Sequence, residues 1–181
     1  MCIRDRFVVV YISFMGYAGD RVTAWLHPEL DPGDTGYQIL QSLYAIGSGG
    51  LFGLGYGKSR QKYLYLPFQY NDYIFAVICE ELGLVGAMAI VALFAVTILR
   101  GYWIALNARD RFSTVLAAGL VTLIAVQTIL NLCVVTNLLP STGIALPFFS
   151  YGGTALAVNL GEMGIVLGIS RGRNRRKIQE A

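Results

Sequence analysis

Charged and metal-binding side chains are scarce in this sequence. Charged residues make up 14% of its 181 residues, and it contains one histidine and three cysteines. Because soluble domains average about 25% charged residues, this scarcity argues against a soluble globular protein. His27 is the single histidine, so neither a zinc site of clustered cysteine and histidine nor a Ser–His–Asp catalytic set is indicated. The odd cysteine count, with Cys79 and Cys133 inside apolar runs, argues against a disulfide framework.

Long apolar runs are what the sequence has instead. Hydrophobic residues make up 55% of the chain, and the mean hydropathy is +0.57. The runs predict membrane helices over 74–99, 115–139 and 154–170, and the first two are long enough to cross about 30 Å of hydrocarbon. The run over 7–19 is too short to span and lacks the flanks of a signal peptide, so it is interpreted as the end of a truncated helix. Residues 1–6 are a doubtful start, and we expect the chain to be a fragment of a longer protein.

The positive charges predict how these helices are oriented. Three arginines surround the turn between the predicted helices 74–99 and 115–139, namely Arg100, Arg109 and Arg111. The tail 171–181 carries five cations and no acid within RGRNRRK. Cytoplasmic segments are enriched in such residues, and both clusters fall on one side when the helices cross in turn. The loops 20–73 and 140–153 are then extracytoplasmic, and the fold is predicted to be an all-α polytopic membrane domain of about four transmembrane helices.

Three acids mark the point where a polar loop passes into the run 74–99. Asp72 precedes the run, and Glu80 and Glu81 lie within it. Acids at membrane depth are costly and are commonly functional. Asp72 is therefore a candidate catalytic residue, with a helix N-cap as the alternative, because aspartate is a favoured cap. Glu80 is a candidate substrate ligand, with polar packing as the alternative, and the roles of Glu81 and of Glu162 in the last helix stay open.

The large loop contains an amphipathic stretch followed by glycines. Apolar residues at helical spacing predict a short interfacial helix over 37–46. The segment 57–59 reads GKS like the end of a nucleotide-binding loop, but Phe52 stands where that loop requires glycine. No nucleotide site is therefore predicted, and the glycines allow positive φ and close approach of another chain or of a ligand.

Three cations follow at alternate positions, namely Lys58, Arg60 and Lys62. In an extended chain they would share one face and could bind an anionic head group. An ordinary solvated basic loop is the alternative interpretation.

Polar residues also interrupt the later apolar segments. Gln127 and Asn131 lie four residues apart and face the same way, which favours interhelical hydrogen bonds over a substrate path. The segment LPSTGIALPFFSYGG over 139–153 breaks helix and supplies hydroxyl groups. Irregular backbone near membrane depth must be protected by protein or must line a cavity. We therefore predict a re-entrant or boundary loop that covers the same pocket as Asp72, with Ser150 as a candidate substrate ligand.

Three motifs in order resemble the SEDS (shape, elongation, division, sporulation) family, close to its FtsW and SpoVE branch. They are YQILQSLYAIGSGGLFGLGYGKSRQK, then LPFQYNDYIFAVICEELGLVG, and finally LPSTGIALPFFSYGG. The resemblance covers nearly everything over 21–171. It implies that the chain is the C-terminal part of a roughly ten-helix protein of the bacterial cytoplasmic (inner) membrane.

The resemblance also implies an activity and partners. Family members polymerise lipid II, an undecaprenyl-pyrophosphoryl glycan, into glycan strands on the extracytoplasmic side, during cell division or sporulation in the branch nearest this chain. The expected partners are a class B penicillin-binding protein and other divisome or sporulation proteins, with no nucleic acid. A divalent cation, Mg²⁺ or Mn²⁺, is expected from the family alone.

The family's proposed catalytic aspartate falls on Asp72. The chain departs from the usual pattern beside it, with Phe68, Tyr70 and Asn71 where glutamate, histidine and threonine are common. A carboxylate at the membrane surface can serve as general base toward the acceptor sugar hydroxyl. The cations Lys58, Arg60 and Lys62 or a divalent ion would stabilise the departing pyrophosphate.

Two alternatives from other classes stay open. One is a flippase for the lipid-linked precursor, in which Glu80, Glu81 and Glu162 would belong to a proton or substrate path. The other is a non-catalytic membrane scaffold that recruits the penicillin-binding protein.

Overall fold

The computed structural model of the protein describes residues 21–22, 25–28, 35–55, 57 and 72–179. The predicted helix over 7–19 lies outside these residues. The described part folds into four long helices, which are α1 (Thr35–Gly49), α2 (Ile74–Leu106), α3 (Arg111–Val135) and α4 (Gly153–Gln179). Three segments are long and apolar enough to cross a membrane, namely α2, α3 and Gly153–Gly172 of α4. The chain is therefore an all-helical, multi-pass membrane protein.

One part of the core lies where α2 begins and α3 ends. Ala45 of α1, Ala76 of α2 and Val135 of α3 meet there, together with Leu146 from the loop that joins α3 to α4. The other faces of the helices stay apolar and exposed, as expected for surfaces that contact lipid or further helices. The core therefore brings the start of α2, the end of α3 and the following loop to one place.

Helix α2 is longer than the predicted 74–99. It begins at Ile74 as predicted but continues through Arg100 to Leu106, because this end pairs closely with α3. A side-chain carbon on Gly101 would lie 2.6 Å from Val121 Cγ2, and Tyr102 Oη hydrogen-bonds Thr122 Oγ1 over 2.8 Å. The Arg100 guanidinium lies 5.3 Å from the ring of Trp103, so it stays on the helix instead of ending it.

Helix α3 lies four residues before the predicted 115–139 at both ends. It begins after Asp110, an extended N-cap residue whose carbonyl accepts the Thr114 N–H. It ends at Val135, and Asn137, two residues further on, adopts a positive φ of 58°. The N–H of Leu138 donates to Cys133 O over 2.8 Å and that of Asn137 donates to Val134 O over 3.0 Å. These two bonds form a Schellman motif, in which asparagine tolerates the left-handed position.

Helices α1 and α4 also exceed the predicted 37–46 and 154–170. Helix α4 continues to Gln179 through the basic tail, whose arginines and lysine are good helix formers. Helix α1 packs against α2, and Ser42 donates to Ile39 O on α1 and to Val135 O at the end of α3. The α1 helix is thus part of the core, and its predicted interfacial position relative to the membrane stays a prediction.

A break in α2 joins it to the glycine-rich turn after α1. Gly83 has φ 67° and ψ −168°, a conformation that only glycine adopts readily. Four backbone hydrogen bonds cross between the two segments: Leu54 to Glu80 O, Gly55 to Glu81 O, Leu84 to Gly50 O and Val85 to Leu51 O. The carbonyls freed by the break are therefore satisfied by the turn. We call Gly49–Gly55 together with Glu80–Val85 the Gly83 junction.

Candidate active site around Asp72

Asp72 lies just before α2, close to the end of α3. The N-cap residue of α2 is Tyr73, and no side chain makes a capping hydrogen bond there. The alternative role of Asp72 as a side-chain cap is therefore wrong for this structure. Its carboxylate instead faces the loop between α3 and α4, because a side-chain carbon on Gly143 would lie 3.7 Å from Asp72 Oδ2. Gly143 has φ 69°, which lets the loop backbone come this close.

A buried amide holds the backbone beside this carboxylate. Asn131 Nδ2 donates to Asp72 O over 2.9 Å and to Ile144 O over 2.7 Å. Asn131 was predicted to bond another helix, and this is wrong in its acceptors: both are backbone carbonyls outside helices, one just before α2 and one in the loop.

The loop is also held from the other side by the segment that precedes α1. Arg21 Nη1 donates to Ser141 O over 2.6 Å, and Trp25 Nε1 donates to Asn137 O over 3.0 Å. The loop therefore borders Asp72 at Gly143, and its role as a cover over a pocket stays a prediction.

Burial and a nearby cation act in opposite directions on Asp72. Burial raises the pKa of its carboxyl above the ordinary 3.8, and the positive charge of Arg21 partly opposes this effect. Burial and the charge of Asp72 raise the pKa of Tyr73 to about 12. Tyr73 therefore keeps its proton near neutral pH, and Asp72 is the better proton acceptor of the two.

Ser150 belongs to the same loop and helps to shape it. Its hydroxyl oxygen accepts the Leu146 N–H over 2.7 Å, and its own N–H donates to Leu146 O over 3.1 Å. Phe148, between them, has φ 65°. These contacts assign Ser150 a role in loop geometry, and its role as a substrate ligand stays a prediction.

The other predicted ligands lie further away or outside the described residues. Lys58, Arg60 and Lys62 lie outside the described residues. Glu80 is 1% exposed and lies eight residues along from Asp72, which is about 12 Å at the helical rise. Glu81 is 8% exposed, and its Oε1 accepts no hydrogen bond from the described residues.

Sequence reasoning missed two residues of this site. Arg21 looked like one of several loop cations, and Asn131 was expected to bond another helix but was not linked to Asp72. The distance along the chain explains both cases, since 120 residues separate Arg21 from Ser141 and 59 separate Asn131 from Asp72. The signal for Asn131 in the sequence is an amide side chain within a largely apolar segment, four residues before the end of α3.

The Asp72 carboxylate is half-buried near the charge of Arg21. The loop that it faces is held by hydrogen bonds from Asn131 on one side and from Arg21 and Trp25 on the other. Such a carboxylate can take a proton from a hydroxyl group brought to the open side. For a metal ion the fit is poor, because the described residues offer no group of three or more His, Cys, Asp or Glu side chains, and Arg21 already supplies a positive charge next to Asp72.

Comparisons with known proteins agree with the fold. The family model described as "Cell cycle protein", which covers FtsW, RodA and SpoVE, matches residues 3–175. The chain is 50% identical to stage V sporulation protein E of Bacillus subtilis over 155 residues, which cover 86% of this chain and 42% of that protein. It is 45% identical to the probable peptidoglycan glycosyltransferase FtsW of Trichlorobacter lovleyi over 166 residues, which cover 92% of this chain and 44% of that one.

Two solved structures superpose on this fold. A chain from a study of polymerization and crosslinking by a peptidoglycan synthase complex superposes with a TM-score of 0.71 at 29% identity, over 92% of this chain and 45% of that one. A mutant of the rod shape determining protein RodA of Thermus thermophilus superposes with a TM-score of 0.58 at 32% identity, over 73% of this chain and 40% of that one. The chain thus spans less than half the length of these relatives.

Proposed function

The chain belongs to the FtsW, RodA and SpoVE family of cell cycle proteins, and from this we propose that it forms part of a peptidoglycan glycosyltransferase that polymerises lipid II. The observation that carries the proposal is the Asp72 carboxylate, half-buried under a pinned loop and facing Gly143. Relatives named as probable peptidoglycan glycosyltransferases are 42–49% identical to the chain over the matched residues. Because the chain spans less than half of their length, the complete site is proposed to include residues outside it.

The proposed reaction uses Asp72 as general base. The acceptor sugar hydroxyl gives its proton to the Asp72 carboxylate while its oxygen bonds to the anomeric carbon of the donor. The bond from that carbon to the pyrophosphate oxygen breaks, and the lipid pyrophosphate leaves with the electron pair. A base whose pKa is raised toward the working pH removes a proton more effectively than an ordinary aspartate. This is the chemical value of the burial at Asp72.

Cations would stabilise the leaving group. Lys58, Arg60 and Lys62 are proposed for this role, since anionic oxygens bind such side chains strongly. The Mg²⁺ or Mn²⁺ ion expected from the family stays a prediction, and no step of this mechanism passes through it.

We place the site on the extracytoplasmic side. The bond from Asn131 to Asp72 brings the end of α3 to the start of α2, so the turn that contains Arg109 lies at the opposite end. Helix α4 begins on the Asp72 side, and its basic tail therefore also lies at the opposite end. Both basic clusters then face the cytoplasm, as the positive-inside tendency favours.

The proposed partners are a class B penicillin-binding protein and other divisome or sporulation proteins. One structural relative comes from a peptidoglycan synthase complex that coordinates polymerization with crosslinking, and the exposed apolar faces of the helices in this chain offer surface for such contacts.

A flippase is the second candidate. Glu81 and Glu162 are buried in α2 and α4, and each has a carboxylate oxygen that accepts no hydrogen bond from the described residues. Buried acids of this kind occur in transport paths. The scaffold hypothesis has no comparable observation in its favour.

The test replaces Asp72 in the full-length protein that carries this sequence, reconstituted with its transpeptidase partner. Asp72→Asn should lower lipid II polymerisation by about 10²- to 10⁴-fold, the usual contribution of a general base. Asp110→Asn, at the opposite end of α2 and α3, is the matched control and should polymerise normally. Normal polymerisation by Asp72→Asn would refute the proposal, and lost precursor transport in Glu81→Gln with polymerisation intact would favour the flippase.

A further inference from the structure

Asn131 makes an unusual pair of contacts for an amide in a membrane helix. It lies four residues before the end of α3 and is 1% exposed. Both hydrogen bonds come from Nδ2, over 2.9 Å to Asp72 O and over 2.7 Å to Ile144 O. An NH₂ group has two hydrogens, so this donor is fully used.

The two acceptors belong to separate segments of the site. Asp72 O lies before the first turn of α2, and Ile144 lies in the irregular loop, one residue after Gly143, which borders the Asp72 carboxylate. Asn131 therefore links the backbone of Asp72 to the loop backbone that lies beside the Asp72 carboxylate. A contact between two helices would not hold these two segments together, because Ile144 belongs to a loop.

Packing alone does not explain an amide at position 131, because the buried amide destabilises the fold. Asn131 Oδ1 is buried and accepts no hydrogen bond from the described residues, and an unsatisfied buried acceptor is destabilising. An apolar side chain of similar size would avoid that loss, but it would leave the carbonyls of Asp72 and Ile144 without their donor. Asn131 therefore holds Asp72 and Ile144 in position at some cost in the stability of the fold.

We propose that Asn131 is a positioning residue for the general base, which holds Asp72 and the Gly143–Ile144 backbone at a fixed separation across the substrate pocket. This proposal rests on the proposed function, since it assigns Asn131 a role in the step that Asp72 performs. A displacement of about 1 Å at a reacting group can lower the rate by about 10²-fold. Loss of Asn131 should therefore reduce kcat and leave KM for lipid II nearly unchanged.

The experiment compares two amide positions on one face of α3. Asn131→Leu and Asn131→Asp remove the donor, while Gln127→Leu and Gln127→Glu make the same chemical changes one turn earlier. All four are measured in the full-length protein with its partner. We expect kcat to fall by about 10²-fold in both Asn131 variants and by less than about threefold in both Gln127 variants, with KM within about threefold throughout.

A second readout separates positioning from folding. Deuterium uptake over 140–150 should rise in the Asn131 variants, because the loop loses its anchor, while uptake within α2 and α3 stays as in the unmodified protein. Wild-type kcat in Asn131→Leu would overturn the proposal. So would loss of folding in both Asn131 variants while the Gln127 variants fold, since that result assigns Asn131 to stability.

The outcomes for the two proposals are distinguishable. If Asp72→Asn polymerises normally, the general-base function fails whatever Asn131 does. If Asp72→Asn is inactive while Asn131→Leu keeps wild-type kcat, only the positioning role fails. When both hold, any residual rate of Asp72→Asn should not fall further on adding Asn131→Leu, because residues that act as a unit are not additive.

Discussion

Gly83→Ala offers the sharpest test of the fold, because it acts on a backbone contact. Alanine at φ 67° and ψ −168° costs about 1–3 kcal/mol in conformational strain alone. The new side-chain carbon would also lie 2.6 Å from Leu51 O and would collide with the backbone nitrogen of Gly53. The two segments of the Gly83 junction must then separate, which weakens four hydrogen bonds at about 1 kcal/mol each. If all four bonds are lost, we expect the free energy of unfolding to fall by about 5–7 kcal/mol.

The assay is unfolding of the detergent-solubilised protein with sodium dodecyl sulfate, followed by near-ultraviolet circular dichroism. Gly119→Ala is the matched control, because Gly119 lies inside α3 and nothing stands within 4 Å of a carbon added there. That substitution should stabilise by about 0.5–1 kcal/mol through helix propensity. The two glycines should thus respond with opposite signs. If Gly83→Ala also stabilised the protein, α2 would be continuous at that point and the reasoning would be refuted.

Three further predictions concern charge and capping. Burial raises the pKa of Asp72 in the folded state, so ionisation of this carboxyl destabilises the fold. The free energy of unfolding should therefore decline as the pH rises above the unfolded pKa of 3.8. Asp72→Asn should then be more resistant to heating than the unmodified protein at pH 7 but not at pH 3. Arg21→Gln removes the charge that lowers the Asp72 pKa, so the acid limb of the kcat/KM profile should move to higher pH, whereas Trp25→Phe, which loses only a loop hydrogen bond, should leave it in place. Asn137→Ala should lower the free energy of unfolding by about 1–2 kcal/mol because of its positive φ, and Asn137→Gly should not; equal losses in both would contradict the Schellman assignment.

The sequence predicted the helical membrane fold because its signals are local. The change from polar loop to apolar run marks the start of α2 at Ile74. The predicted end of α2 at residue 99 is too early, because Arg100 does not end the helix: its guanidinium lies over the ring of Trp103, one turn further along. The stop signal of α3 was present in Asn137, but amide residues in apolar runs were interpreted as hydrogen-bonding groups and not as caps.

The site itself was predictable only in part. Asp72 could be named because its position at a membrane boundary is visible in the chain. Its neighbours could not, because Asn131 and Arg21 reach the site through tertiary contacts that no periodicity encodes. The glycines after α1 predicted close approach of another chain or a ligand, whereas Gly53 contacts the backbone of α2 at Gly83, because of how α1 docks.

The Gly83 junction also bears on how α2 is stabilised inside the membrane. Most transmembrane helices are stable singly and associate afterwards, but α2 does not complete its own hydrogen-bond ladder at Gly83, since the N–H groups of Leu84 and Val85 donate to residues after α1. Inside a bilayer such groups cost several kcal/mol each without partners. The turn after α1 therefore completes the hydrogen bonding of α2, and α2 becomes fully satisfied at Gly83 only when α1 has docked on it.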